Sequence, residues 1–369
     1  MRRSYRLVLF VCLLAGGLMS GVTQAKAQSA QGAVFAMTNS ASGNEIMSYA
    51  RAENGTLQPA GAFSTGGNGS GGTIDPLRSQ GSLTLSTDRS LLFAVNAGSG
   101  TVASLAVHGT SLELLNTKPT GGSMPTAVAQ WGRLVYVLNA GGNGNVSGFR
   151  ILGNGHLLAI QNSTRKLSGD NTGPTSLAFS PNGQFLVVTE LTTNVIDVYR
   201  VLPNGRLSDA VVNPSAGGAP FAALFTPKGV LTVANASNNI SSYKLNWNGS
   251  LTIISSQIPT QGAATCWSVI LPDGSVVYTS NAGTNNLSGF TVAQNGVLTP
   301  LSGTVVGTNP AGSTNLDIAL SADGRFLYTL NGGTGTIGFF AVQSDGTLLN
   351  NGVVEGLPAS AGLNGIAAY

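Results

Sequence analysis

The chain has 369 residues, 51 of them Gly and 15 Pro, with 42% hydrophobic and only 8% charged residues. It is too apolar for a disordered chain, and its two Cys and two His leave no room for a disulfide scaffold, a zinc module or a haem protein. Arg2, Arg3, Arg6 and Lys26 are four of the 17 basic residues, so the chain after Ala27 holds 13 bases against 14 acids and gives nucleic acid or an anionic membrane no electrostatic hold.

Taken in chain order, Arg2, Arg3 and Arg6 precede the apolar run Leu7 to Met19, and Ala25-Lys26-Ala27 supplies small residues two positions apart. This pattern predicts an export signal over residues 1–27, cleaved after Ala27, and hence a secreted or periplasmic protein of residues 28–369. The run is short for a bilayer-spanning helix, which needs about 20 residues, so the mature chain is expected to have no membrane span. Cys12 falls inside the signal, which leaves Cys266 as the one mature cysteine. Its apolar neighbours Trp267, Val269 and Ile270 predict a buried, inert thiol. Next comes Gly67-Asn68-Gly69-Ser70-Gly71-Gly72, formally a dinucleotide fingerprint. It runs on into Thr73-Ile74-Asp75-Pro76 rather than into a helix, so it reads as a loop.

A repeat organises the rest. One half is a strand ending before a Gly or Asn turn: FAMTN at Asn39, FAVN at Asn96, YVLN at Asn139, VVTE with Thr189 in the repeat position, TVAN at Asn235, YTSN at Asn281 and YTLN at Asn331. The seven copies recur about every 49 residues, the length of one four-stranded propeller blade. The other half is a strand with an aromatic two before an aliphatic residue, such as Tyr199/Val201 or Phe290/Val292, followed by a hairpin turn such as Asn204-Gly205 or Asp345-Gly346. A second hairpin signal, seen in Pro181-Asn182-Gly183 and Pro272-Asp273-Gly274, lies upstream of each copy. The expected blade is therefore an inner strand, a turn, a second strand, a loop, a third strand, an Asn-Gly turn and a shorter outer strand.

The fold class is thus an all-β, seven-bladed propeller. Packing on both faces explains strands that are apolar throughout rather than alternating. Blade one starts near Val34 with its second strand, and Leu363 to Tyr369 is left over as an inner-strand segment. That tail should complete blade one and close the ring, since an open ring would leave strand edges unpaired. Deleting 361–369 is expected to abolish soluble folding.

The segment Gly173-Pro174-Thr175-Ser176-Leu177-Ala178-Phe179-Ser180-Pro181-Asn182-Gly183, followed by Val188-Thr189-Glu190-Leu191, resembles the lactonase-type seven-bladed propellers. These are the family of the propeller 6-phosphogluconolactonases and the 3-carboxymuconate cyclases. The resemblance covers roughly residues 33–369 and implies carboxylic ester or lactone chemistry. The Ser-Pro-Asp-Gly and Tyr-Val-Leu-Asn elements also resemble the tyrosine-valine-threonine-asparagine propellers of microbial cell surfaces. The family's Gly-Pro-Arg-His stretch falls on Gly173, Pro174, Thr175 and Ser176, and its His-Pro-His stretch on Met124, Pro125 and Thr126. Only the glutamate of its Asn-Glu-Leu element is kept, as Glu190. A lactonase needs a base and a donor set for the developing oxyanion, and the resemblance leaves Glu190 as the one catalytic candidate.

His108 and His156 both sit in third-to-outer-strand turns, away from Glu190, and read as turn residues rather than as catalytic or metal-binding groups. Trp131 and Trp247 fall in turns of the same face, far apart in blade order, and read as isolated aromatics. The loop face, by contrast, should gather Arg78, Gln80, Thr126, Thr175, Ser176, Phe221, Trp267, Asp317 and Asn364 around the central mouth. Arg78, Glu190 and Asp317 are the charges expected near it, with Trp267 or Phe221 either stacking on a ligand or plugging the channel. Two functions follow. One is an exported, non-catalytic monomer that binds a small molecule, saccharide or peptide on its loop face, with no cofactor and no metal. The other is a lactone hydrolase or carboxymuconate-cyclase-like enzyme using Glu190 with Arg78 or a backbone donor.

Overall fold

Second strands dictate the architecture. Leu91–Asn96, Phe185–Glu190, Val230–Asn235, Val276–Asn281 and Phe326–Asn331 are buried at every position, so each must be covered on both faces. The computed structural model describes residues 31–369, and the cover it provides is the neighbouring blades. Seven antiparallel sheets radiate from a central axis, with no helix among the described residues. The predicted signal over residues 1–27 lies outside that range.

Blade four shows the order: inner strand Pro174–Phe179, second Phe185–Glu190, third Val195–Val201 and outer Leu207–Pro214, each paired with the next. Blade one contains three consecutive strands, Gly32–Met37, Glu45–Arg51 and Leu57–Ser64. Its inner strand is Ile366–Ala368, which pairs antiparallel with the first of these through Val34–Ala368 and Ala36–Ile366, so the C-terminal segment closes the ring as the repeat required. Arg51, itself buried, donates from Nε to the carbonyl oxygen of Tyr369 at 3.1 Å and fixes the latch from the second side.

Side-chain hydroxyls stitch the blades together. Tyr136, Tyr278 and Tyr328 each donate to the carbonyl of a turn glycine in the following blade, Gly205, Gly346 and Gly55 respectively, at 2.8 to 2.9 Å. The last of these crosses the closing seam. Gly55 itself has φ +85, and a Cβ there would lie 2.4 Å from the Phe326 ring, so the seam tolerates only glycine at that position.

Two expectations are corrected. The outer strands are not shorter: they run to 11 residues in blade six, and only blade three splits its outer strand into Leu157–Ala159 and Arg165–Lys166. They follow the wide rim of the ring, and bulges such as the one between Tyr199 and Val201 let them bend along it while blunting the exposed edge. The second correction is register. In blade four the position equivalent to Asn96, Asn139, Asn235, Asn281 and Asn331 is Glu190, not Thr189, because Glu190 pairs with Val195 as Asn96 pairs with Thr101 and Asn281 with Asn286.

Candidate functional site

The long loop between Ser64 and Leu83 builds the mouth of the central channel. Its residues Ser79 and Gln80 lie across the channel and join inner strands that are not neighbours. Ser79 Oγ donates to the Thr126 carbonyl at 2.7 Å, and the Ser79 carbonyl accepts the Trp267 indole at 2.9 Å. Gln80 donates its backbone N–H to the Thr175 carbonyl at 2.9 Å and exchanges two side-chain hydrogen bonds with the backbone of Ser268, at 2.8 and 3.0 Å. Phe221 packs edge-on to Trp267 with centroids 5.1 Å apart. The loop is therefore a stopper, and the aromatic pair fills the channel beneath it.

The sequence-selected residues meet here, but as a packed plug. Thr126, Thr175, Ser176, Phe221, Trp267 and Asp317 are all buried, and Arg78 alone is exposed. Thr175 donates to the Phe221 carbonyl at 2.9 Å, and the Ser176 hydroxyl accepts the Ala223 N–H at 2.9 Å, so both serve the contact between blades four and five. Asp317 accepts from the backbone of Ile318 at 2.9 Å and from Ile366 of the closing strand, and burial pushes its carboxyl up to about 7. Cys266 is buried as expected, its thiol pushed up by desolvation. Thr126 Oγ1, Ser268 Oγ, Ser82 Oγ and Asn364 Oδ1 are buried without a protein partner, which leaves this end of the channel with hydrogen-bonding capacity for water or a polar ligand.

The structure adds to the mouth an acid that the sequence presents only as loop. Asp75, partly buried, accepts Arg78 N–H at 3.0 Å and Asn364 Nδ2 at 3.1 Å. Burial raises its carboxyl to about 7, against the lowering effect of those two bonds and of the Arg78 charge. With its carboxyl raised toward neutrality and the exposed Arg78 close enough to act on it by charge, Asp75 offers the mouth an acid-base group with a cation nearby. The signal available in the sequence was Asp75-Pro76 in a loop long enough to cross the channel.

Glu190 stands elsewhere. It is fully buried at the end of its strand, where Oε1 accepts the Ser168 N–H at 2.9 Å and Oε2 accepts the hydroxyls of Ser168 and Thr193. Beside it Asp197, also fully buried, has its carboxyl raised well above the usual range by desolvation and then by Glu190. Asp197 Oδ2 lies 3.2 Å from the Tyr199 hydroxyl, whose one proton is also within reach of the Lys166 carbonyl at 2.9 Å, whereas Oδ1 has no donor while both carboxyls are ionised. Desolvation and the neighbouring Glu190 carboxyl both favour the neutral form of Asp197, which carries its own proton.

The histidines take no part. His108 is exposed and lies 3.6 Å from Glu113, also exposed, while His156 sits partly buried in its turn. Among the described residues no group of three His, Cys, Asp or Glu side chains is placed to hold a metal.

Solved structures share this architecture. The periplasmic gluconolactonase of Pseudomonas aeruginosa is 21% identical with a TM-score of 0.68, over 90% of this chain and 98% of its own. A Bacteroides uniformis protein provisionally named a 6-phosphogluconolactonase is 21% identical with a TM-score of 0.72, over 92% of this chain and all of its own. A Lactobacillus plantarum protein is 22% identical with a TM-score of 0.72, over 91% and 98%. At these identities the likeness is one of fold. No curated protein matches the chain significantly. The family model for the seven-bladed β-propeller lactonases matches residues 72–312, well over half the chain, and the protein belongs to that family.

Proposed function

We propose that this is an exported lactonase-family propeller, monomeric and non-catalytic, which binds a polar small molecule, saccharide or peptide at the loop-face mouth around Asp75, Arg78 and Asn364. Export rests on the Arg2, Arg3 and Arg6 start and the apolar run behind it. The observation that carries the binding reading is the state of Glu190: the one catalytic residue that the family pattern leaves is sealed from solvent and saturated by Ser168 and Thr193. A general base must reach the water it activates.

Asp75 supports a second reading as a lactone hydrolase. Its carboxylate would take a proton from a water attacking the lactone carbonyl, and Arg78 would stabilise the oxyanion that forms before the ring oxygen leaves and picks up that proton. The names of the structural relatives make sugar lactones the first substrates to try. The test follows proton release from a panel of sugar and aliphatic lactones, with Asp75→Asn and Glu190→Gln variants alongside. The binding reading expects no turnover above that of Asp75→Asn. Turnover lost in Asp75→Asn and kept in Glu190→Gln would establish the hydrolase instead, and turnover lost only in Glu190→Gln would restore the original candidate.

A further inference from the structure

The face opposite the mouth carries a groove between blades four and five, with a volume of about 540 Å³, lined in part by Asn182, Gln184, Phe225, Lys228, Lys244 and Trp247. Comparison of the repeats singles it out. The third-to-outer hairpin places Glu53, Gly153, Pro203, Gln294 and Ser344 at the first turn position in blades one, three, four, six and seven. Blade five places Trp247 there, 82% exposed, the most exposed of the large apolar side chains. An indole so open contributes little to folding.

The facing turn departs as well. Asp88, Asn182, Asp273 and Asp323 each close their turns by accepting the N–H two residues on, at 2.9 to 3.1 Å. Blade five's turn is one residue shorter and is closed by Thr226 Oγ1, which accepts the Val230 N–H at 3.1 Å, so Lys228 at its tip has no structural duty. Neither Lys228 nor Lys244 makes an ion pair or a side-chain hydrogen bond, the nearest acid to act on Lys228 being Asp273 of the next blade, beyond ion-pair distance, and the side-chain amide of Gln184 is likewise uncommitted. Arg200 stacks on the Phe185 ring, 4.8 Å from its centroid, and donates to the Trp247 carbonyl, which ties the backbone of the turn that carries the indole.

An exposed aromatic platform beside free amide and ammonium groups has the chemistry of a sugar site. The indole face covers the C–H face of a pyranose, the amide bonds its hydroxyls, and two unpaired lysines in a near-neutral protein favour a carboxylate. We infer that this groove binds an acidic saccharide, a hexuronate unit stacked on Trp247 with its carboxylate at Lys228 and Lys244. The site lies away from the mouth and is independent of the function proposed there.

Titration of the purified protein with trigalacturonate, followed by tryptophan fluorescence and calorimetry, tests it. Saturable binding is expected, weakened at least tenfold by Trp247→Ala and by Lys228→Gln/Lys244→Gln, with melting temperatures of both variants unchanged. Cellotriose and a short polyglutamate serve as neutral-sugar and charge-only probes. Absence of trigalacturonate binding at millimolar concentration overturns the inference, as does equal binding of either probe or full retention of binding in Trp247→Ala.

Discussion

Blade four and its siblings solve the same problem with different chemistry. In each blade the loop leaving the previous outer strand crosses the end of the second strand and must be tied there. In blade two the tie is Thr65 Oγ1 donating to Asn96 Oδ1 at 2.6 Å, and in blade six it includes Ser288 Oγ donating to the Thr260 carbonyl at 2.5 Å. Blade four has Leu167 at that loop position and makes its tie one residue further on, from Ser168 to Glu190, and it puts Asp197 where blades three, five and six have Ser147, Ser241 and Ser288. An Asn and Ser pair has thus become a Glu and Asp pair. Glu190, which the resemblance to the family's Asn-Glu-Leu element makes the catalytic candidate, ties the incoming loop here, and its neighbour differs from the siblings with it.

The largest effect should come from cutting that tie. Glu190→Ala leaves the Ser168 N–H and Asp197 without their partner in a fully buried site, and should cost about 3 kcal/mol or more in urea unfolding. A loss under 1 kcal/mol would mean that the loop does not depend on the tie. Converting blade four to its siblings' chemistry should cost less. Glu190→Asn/Asp197→Ser should be more stable than the sum of the single losses predicts, by about 1 to 3 kcal/mol, because the two positions share one network. Simple additivity would separate the carboxyls and end the comparison.

The carboxyl pair also gives blade four a pH dependence that its siblings lack. Asp197 is raised in the folded state, so the native protein binds more protons than the unfolded chain, whose carboxyl titrates near 3.8. That stability is fully present below the unfolded value and is lost as pH rises through the neutral range. Asp75 and Asp317, both raised to about 7, add to the same slope, while the lowered turn residues Asp88 and Asp273 act only in the acid range. The urea midpoint should therefore fall between pH 5 and pH 8, and fall less in Asp197→Asn. A variant with the wild-type slope would assign the titration to the mouth residues alone.

The repeat itself was legible because each blade needs both faces apolar and each hairpin needs its Gly, and the leftover Leu363 to Tyr369 segment revealed the closure. That Thr126, Thr175 and Trp267 lie around the axis was legible, since inner-strand starts converge there whatever their chemistry. Their burial was not legible. It depends on Ser79 and Gln80 crossing to blades three, four and six, contacts up to 188 residues apart that no local pattern encodes. Asp75 was missed for the same reason, its raised carboxyl being a property of the crossing and not of its neighbours in sequence.

The smallest expected difference separates two tyrosines at one repeat position. Tyr199 of blade four donates to the Lys166 carbonyl at 2.9 Å, and Tyr243 of blade five accepts the Ala216 N–H at 2.8 Å, so each hydroxyl ties the incoming loop and each Tyr→Phe change should cost about 1 kcal/mol at pH 6. Only Tyr199 has a carboxyl beside it, 3.2 Å away on Asp197. Once Asp197 ionises, that hydroxyl becomes its nearest neutral donor, and hydrogen bonds to a charged group contribute about 1.5 to 3 kcal/mol. At pH 9 the cost of Tyr199→Phe should therefore exceed that of Tyr243→Phe, while at pH 6 the two should agree within about 0.5 kcal/mol. Equal costs at both pH values in parallel urea titrations would show that Asp197 stays protonated across the range, its proton held by Glu190 against the rising pH.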